Sequence, residues 1–238
     1  MFDAITLGSF FAGIFSSVIG SYLFLVSQSR TGSFLRNIAL NLAKVPIAAA
    51  FSDRVNAEKD ITERIQSTNK LKILSVRGAA YIDPAHPGSL VTNRVQFKDA
   101  KVLVCNPYGR PGLRRAKEVQ GSADKSWNVT QFPKDIEHMF GKLEGENGVQ
   151  VRYFCSSTAF RVVILDSAAY LSGFPSNRIG FEVPVLKFHS GSDFYNMLEK
   201  YFDEVWEQSL NGADFSDVKL TFYNSFESYS DALDDAAI

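Results

Sequence analysis

Strand-like and helix-like segments alternate from residue 71 to residue 209, and this alternation restricts the fold more than any other feature of the sequence. Short apolar runs such as LKILSVRG, AKVLVCNP and FRVVILDSA have the length and composition of buried strands. Segments with helical spacing of apolar residues lie between and after them. The strongest is SDFYNMLEKYFDEVWEQS, which begins with Ser192 or Asp193 as its cap. The alternation predicts an α/β sandwich built on a largely mixed sheet.

One predicted strand begins a segment, AFRVVILDSAAYLSGFPSN at residues 159–177, with polar residues at a characteristic spacing. Arg161, Asp166, Gly173 and Asn177 stand at the Lys, Asp, Gly and Asn positions of the pattern H-x-K-x4-D-x6-G-S-x2-N. The segment resembles the core motif of the phospholipase D superfamily. The order of elements in residues 71–210 is similar to a single domain of that family, and the resemblance implies a phospholipase D-like mixed-sheet sandwich.

The nucleophilic histidine of that motif is missing, because Ala159 stands at its position. In the family, this histidine attacks phosphorus, a second histidine protonates the leaving group, and the lysines stabilise the phosphoryl oxygens. The chain contains no second H-x-K copy; its histidines are His86, His138 and His189. His189, which follows a predicted strand, is the candidate for a displaced acid or base. We therefore expect the fold without the phosphohistidine chemistry.

Several residues could still bind a phosphate group. Arg161 offers a planar set of donors that Asp166 could orient, and the others lie at predicted strand ends or in the turn that opens a helix. The predicted ligand-binding residues are Arg77, Asn106, Arg110, Arg114, Arg161, Asp166 and Asn177. A solvated helix face around Arg114 and a structural ion pair of Arg161 with Asp166 are the alternatives. The sequence has no metal-ligand spacing or phosphate-binding glycine loop, so we expect no metal and no cofactor.

Residues 4–26 contain no charged side chain, and their length suffices to span the hydrocarbon core of a membrane. A signal peptide is the alternative, although no basic region precedes the apolar run. We expect a retained transmembrane helix. Asp3 precedes it and Arg30, Arg36 and Lys44 follow it, so the N-terminus should face out and the rest should be cytoplasmic. This predicts a single-pass protein of the cell inner membrane.

Small residues recur at every fourth position of this span, in two adjacent rows. Small side chains let helix backbones approach closely in lipid, so we expect the helix to self-associate. The residues predicted to pack are Gly8, Ala12, Ser16 and Gly20.

The segments on either side of the predicted domain have different compositions. Residues 33–70 should form a membrane-proximal helical connector: residues 33–51 favour a helix at the lipid surface, and a second helix would begin at Ser52. Residues 211–238 form an acidic C-terminal segment, and we expect its last part, FESYSDALDDAAI at residues 226–238, to be loosely held. Cys105 and Cys155 lie in apolar runs and are predicted to be reduced core residues. The net charge of −1 gives no indication of nucleic-acid binding.

These observations favour a membrane-anchored, catalytically degenerate phospholipase D-like sensor or effector. It would bind a nucleotide, another phosphate-bearing ligand or a protein partner in the cytosol, and act by assembling in the membrane. By analogy alone, the combination suggests a prokaryotic antiviral or stress response. The alternatives are a membrane-tethered phosphodiesterase or nuclease with a relocated nucleophile, and a scaffold protein. The missing histidine counts against the enzyme, and the rows of small residues favour assembly over simple tethering.

Overall fold

The computed structural model describes residues 47–76, 96–120, 132–143, 148–156, 160–173, 183–225 and 229–235. The chain divides into two compact units, Met1–Ala49 and Ala50–Ile238, and the first is described only in its last three residues. The predicted membrane span with its packing residues lies outside the described residues, as do Arg77, Ala159 and Asn177. Among the helices that are described, none is both long enough and apolar enough to cross a membrane.

The described strands form one seven-stranded sheet in the order β1-β7-β6-β5-β2-β3-β4. Strands β2, β3 and β4 are parallel, whereas β5 runs antiparallel to β2, β6 to β5 and β7 to β6. The sheet is therefore mixed, as predicted. The strands are β1 (Ile47–Phe51), β2 (Lys70–Ser75), β3 (Asp99–Cys105), β4 (Val149–Phe154), β5 (Phe160–Leu165), β6 (Ala168–Gly173) and β7 (Val185–His189).

The strand directions define two edges of the sheet at which loops and side chains collect. Strands β2, β3 and β4 end at one of them, which we call the carboxyl edge. Because β5 and β7 run the opposite way, both begin at the carboxyl edge, and β6 ends there. Residues at the start of β5 and just after β3 are thus brought to the same side of the molecule.

Helices cover both faces of the sheet, because its central strands are apolar on both sides. Leu71, Ile73 and Leu74 of β2 are fully buried, and residues 162–165 of β5 are almost fully buried. The helices are α1 (Arg54–Ile65), α2 (Arg110–Gln120), α3 (Phe132–Leu143), α4 (Asp193–Glu207), α5 (Gly212–Ser225) and α6 (Tyr229–Asp235).

Helices α1 and α4 lie on opposite faces. Residues paired across neighbouring strands share a face, and successive residues of one strand alternate between the two. Helix α1 forms ion pairs with Arg161 and Lys187, which the register places on one face of the sheet. Helix α4 forms an ion pair with Lys72 of β2. The register partner of Lys72 is Ile164, which faces the opposite side from Arg161. This arrangement is the α/β sandwich that the sequence predicts.

Helix α4 begins where the sequence predicts and is anchored by its aromatic residues. The Ser192 hydroxyl accepts a hydrogen bond from the Tyr195 amide at 3.2 Å. Leu198, Phe202 and Trp206 follow at helical spacing and are buried. At its far end the chain crosses to β4, where Tyr153 and Leu210 exchange backbone hydrogen bonds of 2.8 Å.

The structure corrects the prediction for residues 33–70 in two respects. Residues 47–51, expected in a helix at the lipid surface, form the edge strand β1, since pairing next to β7 satisfies their backbone groups. The following helix is present, but its N-cap is Asp53 and not Ser52. The Asp53 carboxylate accepts a hydrogen bond from the Asn56 amide at 2.9 Å.

The acidic C-terminal residues are not loosely held where the structure describes them. Helix α5 buries Phe215 and Phe222, and α6 buries Tyr229. All three rings surround Tyr108, with centroid distances of 5.7, 5.0 and 6.2 Å, and the Tyr229 hydroxyl donates to the Pro107 carbonyl at 3.0 Å. Burial of this aromatic cluster fixes the two helices to the turn after β3.

Candidate functional site

Three polar side chains are buried together near the carboxyl edge. Arg161, the second residue of β5, lies opposite Ser172 of β6. Ser75 ends β2 one residue beyond the Leu74–Val162 pair, which brings it beside Arg161. Each of the three is less than one-tenth exposed. The motif arginine therefore lies inside the sheet layer, on the face that α1 covers.

The anion beside Arg161 comes from α1. The Nη2 of Arg161 donates to Oε1 of Glu58 at 3.3 Å, and the same oxygen is paired with Nε of Arg54. The Glu58 side chain is only 13% exposed, so this contact is largely shielded from water. Arg161 thus belongs to a buried ion-pair network in which the negative charge is supplied by a helix 103 residues away in the sequence.

The expectation that Asp166 orients Arg161 is wrong. Asp166 follows the other end of β5, about 16 Å from Arg161 at the usual rise of a strand. Its carboxylate accepts a hydrogen bond from the Asn69 amide at 2.6 Å, and its own amide donates to the Thr68 hydroxyl at 3.1 Å. Asp166 therefore holds the turn between α1 and β2.

Asn106 does lie at the carboxyl edge, immediately after β3, and is 1% exposed. Its Oδ1 accepts from the Tyr108 amide at 3.0 Å, and its Nδ2 donates to the Cys155 sulfur at 3.4 Å. These contacts shape the turn that leads into α2. The turn is tight, because a Cβ on Gly112 would lie 2.1 Å from the Asn106 carbonyl oxygen.

The two predicted arginines of α2 differ from Arg161 in their exposure. Arg110 is the first residue of the helix and is exposed near the same edge. The Arg114 side chain is 76% exposed and pairs with Glu118 one turn away, at 3.3 Å. This exposure matches the alternative of a solvated helix face for Arg114.

His189, the candidate for a displaced acid or base, lies at the opposite edge from Arg161. It ends β7 and pairs with Ala168, whereas Arg161 pairs with Ser172 at the other end of the same strand β6. Four residues of extended strand separate these positions by about 13 Å. The imidazole is exposed and does not share a site with Arg161.

A second ion-pair cluster lies on the same face of the sheet as Arg161. Lys187 of β7 and Tyr170 of β6 are register partners, and both are buried. The Lys187 Nζ and the Tyr170 hydroxyl each donate to Oδ2 of Asp60 at 2.6 Å, and Arg64 contacts its other oxygen at 3.2 Å. Asp60, like Glu58, belongs to α1.

These contacts shift the pKa values of both acidic groups. Burial raises the pKa of the Tyr170 hydroxyl, and its hydrogen bond to Asp60 raises it further, so the hydroxyl stays protonated and donates. Burial alone would raise the pKa of Asp60. The hydrogen bonds from Lys187 and Tyr170, together with the charges of Lys187 and Arg64, outweigh that effect and lower this pKa below 3.8.

Glu58, Asp60, Tyr170 and Lys187 were not predicted from the sequence. The available signal was Lys187, a charged residue at an inward-facing position of the otherwise apolar strand VLKFH. A buried lysine requires a buried anion, but the strand pattern does not reveal which element supplies it.

The described residues contain no group of three or more His, Cys, Asp or Glu side chains placed to hold a metal ion. Neither described cysteine is in a disulfide. Cys105 is buried, and burial, with a smaller contribution from Cys155, raises its thiol pKa to about 12. Cys155 is exposed at the end of β4, contrary to the prediction that it is a core residue.

No protein-family model matches the sequence, and no curated protein is significantly similar to it. Several solved structures align with it. TrmBL2, described as an archaeal chromatin protein with a novel mode of DNA binding, aligns at 11% identity and a TM-score of 0.44, over 85% of this chain and 69% of that one. Nuc from Salmonella typhimurium, described as a phospholipase D family member, aligns at 12% identity and a TM-score of 0.39, over 64% of this chain and 88% of that one. NucT from Helicobacter pylori aligns at 12% identity and a TM-score of 0.39, over 68% of this chain and 97% of that one.

Proposed function

We propose that this chain is a membrane-anchored, phospholipase D-like protein that binds a phosphate-bearing ligand through Arg161 without hydrolysing it. The ligand would bind in the cytosol, and the response would be assembly in the membrane. The observation that supports ligand binding is the burial of Arg161 at the motif's lysine position, between Ser75 and Ser172 and beside an anion.

The surroundings of Arg161 suit a phosphate group. A guanidinium presents several donors in one plane and recognises carboxylate and phosphate oxygens in the same way. Glu58 already provides one such carboxylate, so the position stabilises negative charge. Buried ion pairs contribute little net stability compared with apolar residues of similar size. A buried arginine at this position is therefore better explained by recognition than by stabilisation.

Catalysis is not part of the proposal, because no nucleophile is available at the motif. Ala159 has no group that attacks phosphorus. His189, the candidate for a relocated acid or base, is at the far edge of the sheet. These two facts disfavour a phosphodiesterase with a relocated nucleophile.

The membrane part of the proposal is supported by the sequence alone. The uncharged span of residues 4–26, the basic residues after it and its small-residue rows favour a single-pass protein that self-associates. A role in antiviral or stress response rests only on analogy with proteins of this organisation.

The test is equilibrium binding to the full chain purified in detergent, with inorganic phosphate and a 5′-phosphorylated deoxydinucleotide as probes. Replacing Arg161→Gln should weaken binding by about tenfold or more, since it removes a charge-assisted hydrogen-bond donor. Arg161→Lys restores the charge and the motif residue, and should retain most of the affinity. Lys200→Gln is the matched control, since Lys200 is a cation on α4 and its side chain is 80% exposed.

Two results would overturn the proposal. One is equal probe affinity in the Arg161→Gln variant and the parent, with circular dichroism spectra that agree. The other is hydrolysis of a phosphodiester that is abolished by His189→Ala, which would establish the enzyme instead.

A further inference from the structure

Arg161 and Lys187 are two buried cations on one face of the sheet. They lie on β5 and β7, with Tyr170 of β6 between them, and the register places all three on the same side. Two strand spacings and an offset of two residues separate the cation-bearing positions by about 12 Å between Cα atoms. Two positive groups at this spacing suit an anion with two separated charged groups.

Each of these cations pairs with an acidic side chain of the same helix, α1. Glu58 pairs with Arg161 at 3.3 Å, and Asp60 pairs with Lys187 at 2.6 Å. The apolar contribution of α1 is small, because among its residues only Ala57, Ile61 and Ile65 are buried hydrophobic side chains. Beside these three side chains, α1 contacts the sheet through its ion pairs with Arg161 and Lys187.

We propose that α1 is an internal competitor for the ligand site. The site comprises Arg161, Tyr170 and Lys187, and a ligand carrying two phosphate groups takes the places of the Glu58 and Asp60 carboxylates. This inference rests on the phosphate-binding function proposed above. A phosphate monoester carries more negative charge and more acceptor oxygens than a carboxylate, whereas a phosphodiester carries the same single charge. A ligand with at least one monoester therefore interacts more strongly with the same donors. The ligand then shifts the equilibrium of α1 by the difference between the two interactions.

The two ends of α1 are held differently, and this determines how it could move. Its C-terminal end is fixed by Arg64, which contacts Ser167 at 3.3 Å, and by the hydrogen bond from Asn69 to Asp166. Its N-terminal end, nearer to Glu58, follows β1 and the segment predicted to be membrane-proximal. Release of the carboxylates would therefore free the end of α1 that leads along the chain towards the predicted membrane span.

The test compares the full chain with its Glu58→Gln, Asp60→Asn double variant. Removing both competing charges should tighten binding of the 5′-phosphorylated deoxydinucleotide by about tenfold, because the open state no longer competes with an ion-paired closed state. Glu63→Gln is the matched control: it removes one negative charge from an exposed position on the same helix and should change nothing. Adding Lys187→Met to the double variant should abolish its gain in affinity for the dinucleotide. The affinity for inorganic phosphate should stay equal to that of the double variant.

A second arm identifies the source of the two phosphates. Inositol 1,4-bisphosphate represents a lipid headgroup, and the dinucleotide represents a free nucleotide. Tighter binding of either by the double variant supports the competitor role and shows which chemistry the site prefers.

The outcomes separate this inference from the function on which it rests. If Arg161→Gln abolishes probe binding but the double variant binds no more tightly than the parent, the competitor role fails and the phosphate site stands. If no form of the chain binds either probe, both fail.

Hydrogen exchange on the unmodified chain provides a measurement that needs no variant. The amides of α1 should exchange faster when the dinucleotide is bound. Unchanged or slower exchange would overturn the competitor role.

Discussion

Gly112 illustrates how a single missing side chain permits the turn at the carboxyl edge. It is the third residue of α2, where alanine would ordinarily stabilise the helix by up to about 1 kcal/mol. A Cβ there would lie 2.1 Å from the Asn106 carbonyl oxygen and 2.9 Å from the Pro107 Cα, both backbone atoms. Gly112→Ala should therefore destabilise the protein by about 1–3 kcal/mol, as overpacking does in other cores. Thermal unfolding of the variant measures this.

Gly141 provides the matched control for that substitution. It lies in the last turn of α3, and a Cβ there would meet nothing within 4 Å. Gly141→Ala should leave the melting temperature unchanged or raise it. If both alanine variants behave alike, the close approach of α2 to Asn106 does not constrain the turn.

The partner of Arg161 shows where residue-level prediction from the sequence stops. The motif correctly identified Arg161 as a charged residue in a strand, and it suggested Asp166, five residues away, as the partner. In the structure Arg161 is instead paired with Glu58, which is distant in the sequence. The spacing of the motif predicts which residues lie on the strand itself. The ion-pair partner of Arg161 depends on which helix covers that strand, and the motif does not show this.

At the scale of elements, the segments with strong periodicity were predicted well and the exceptions have identifiable causes. Helix α3 occupies the predicted segment FPKDIEHMFGKL from its first residue to its last. Strand β1, IAAAF, was missed because alanine gives no strand signal and its pairing beside β7 decides its conformation. Helix α5 was obscured by the acidic composition, although Phe215 and Phe222 stand seven residues apart, two helical turns.

The predicted membrane helix yields a prediction at the same scale. Replacing Gly8→Leu and Gly20→Leu together keeps the span apolar, so the chain should still resist extraction from membranes by carbonate. The larger side chains should separate the helix backbones, at about 1–2 kcal/mol per contact. Chemical cross-linking in membranes should therefore capture less oligomer at equal protein level.

Val18→Leu is the control for that variant, because Val18 lies outside both rows of small residues. If the Gly8 and Gly20 variant cross-links as strongly as Val18→Leu, the rows reflect ordinary membrane-helix composition. The scaffold alternative would then be favoured.

For the whole molecule, the ion pairs on the two faces of the sheet predict an acid-sensitive fold. Burial works against ionisation of Asp60 and of Glu199 on α4. Hydrogen bonds and nearby positive charges, chiefly from Lys187 for Asp60 and from Lys70 for Glu199, together outweigh burial and lower both pKa values below the ordinary 3.8 and 4.5. A carboxylate with a depressed folded-state pKa contributes stability above its unfolded pKa and loses it as pH falls through the folded value. The melting temperature should be level near neutral pH and fall below about pH 4.5.

A double variant, Asp60→Asn with Glu199→Gln, tests this assignment. It should melt at a lower temperature near neutral pH, and its loss of stability on acidification should be shallower than that of the parent. Burial lowers the pKa of Lys70, but its hydrogen bonds and charge interactions with Glu199 and Tyr195 together outweigh burial and raise this pKa from 10.5 to about 12. No matching loss of stability is therefore expected in mild alkali. If the melting temperatures of parent and variant fall equally on acidification, other carboxylates control the acid transition.

The exchange of backbone hydrogen bonds between Tyr153 and Leu210 has a consequence for how the chain tolerates cleavage after α4. Strand β4 is the last strand in the order of the described sheet, and Leu210 pairs with it at Tyr153 before the chain turns into α5. A product ending before Leu210 would lose both of these hydrogen bonds. Backbone groups that lose their partners at a sheet edge favour pairing with a strand of another copy, so cleavage at this point would promote association between chains.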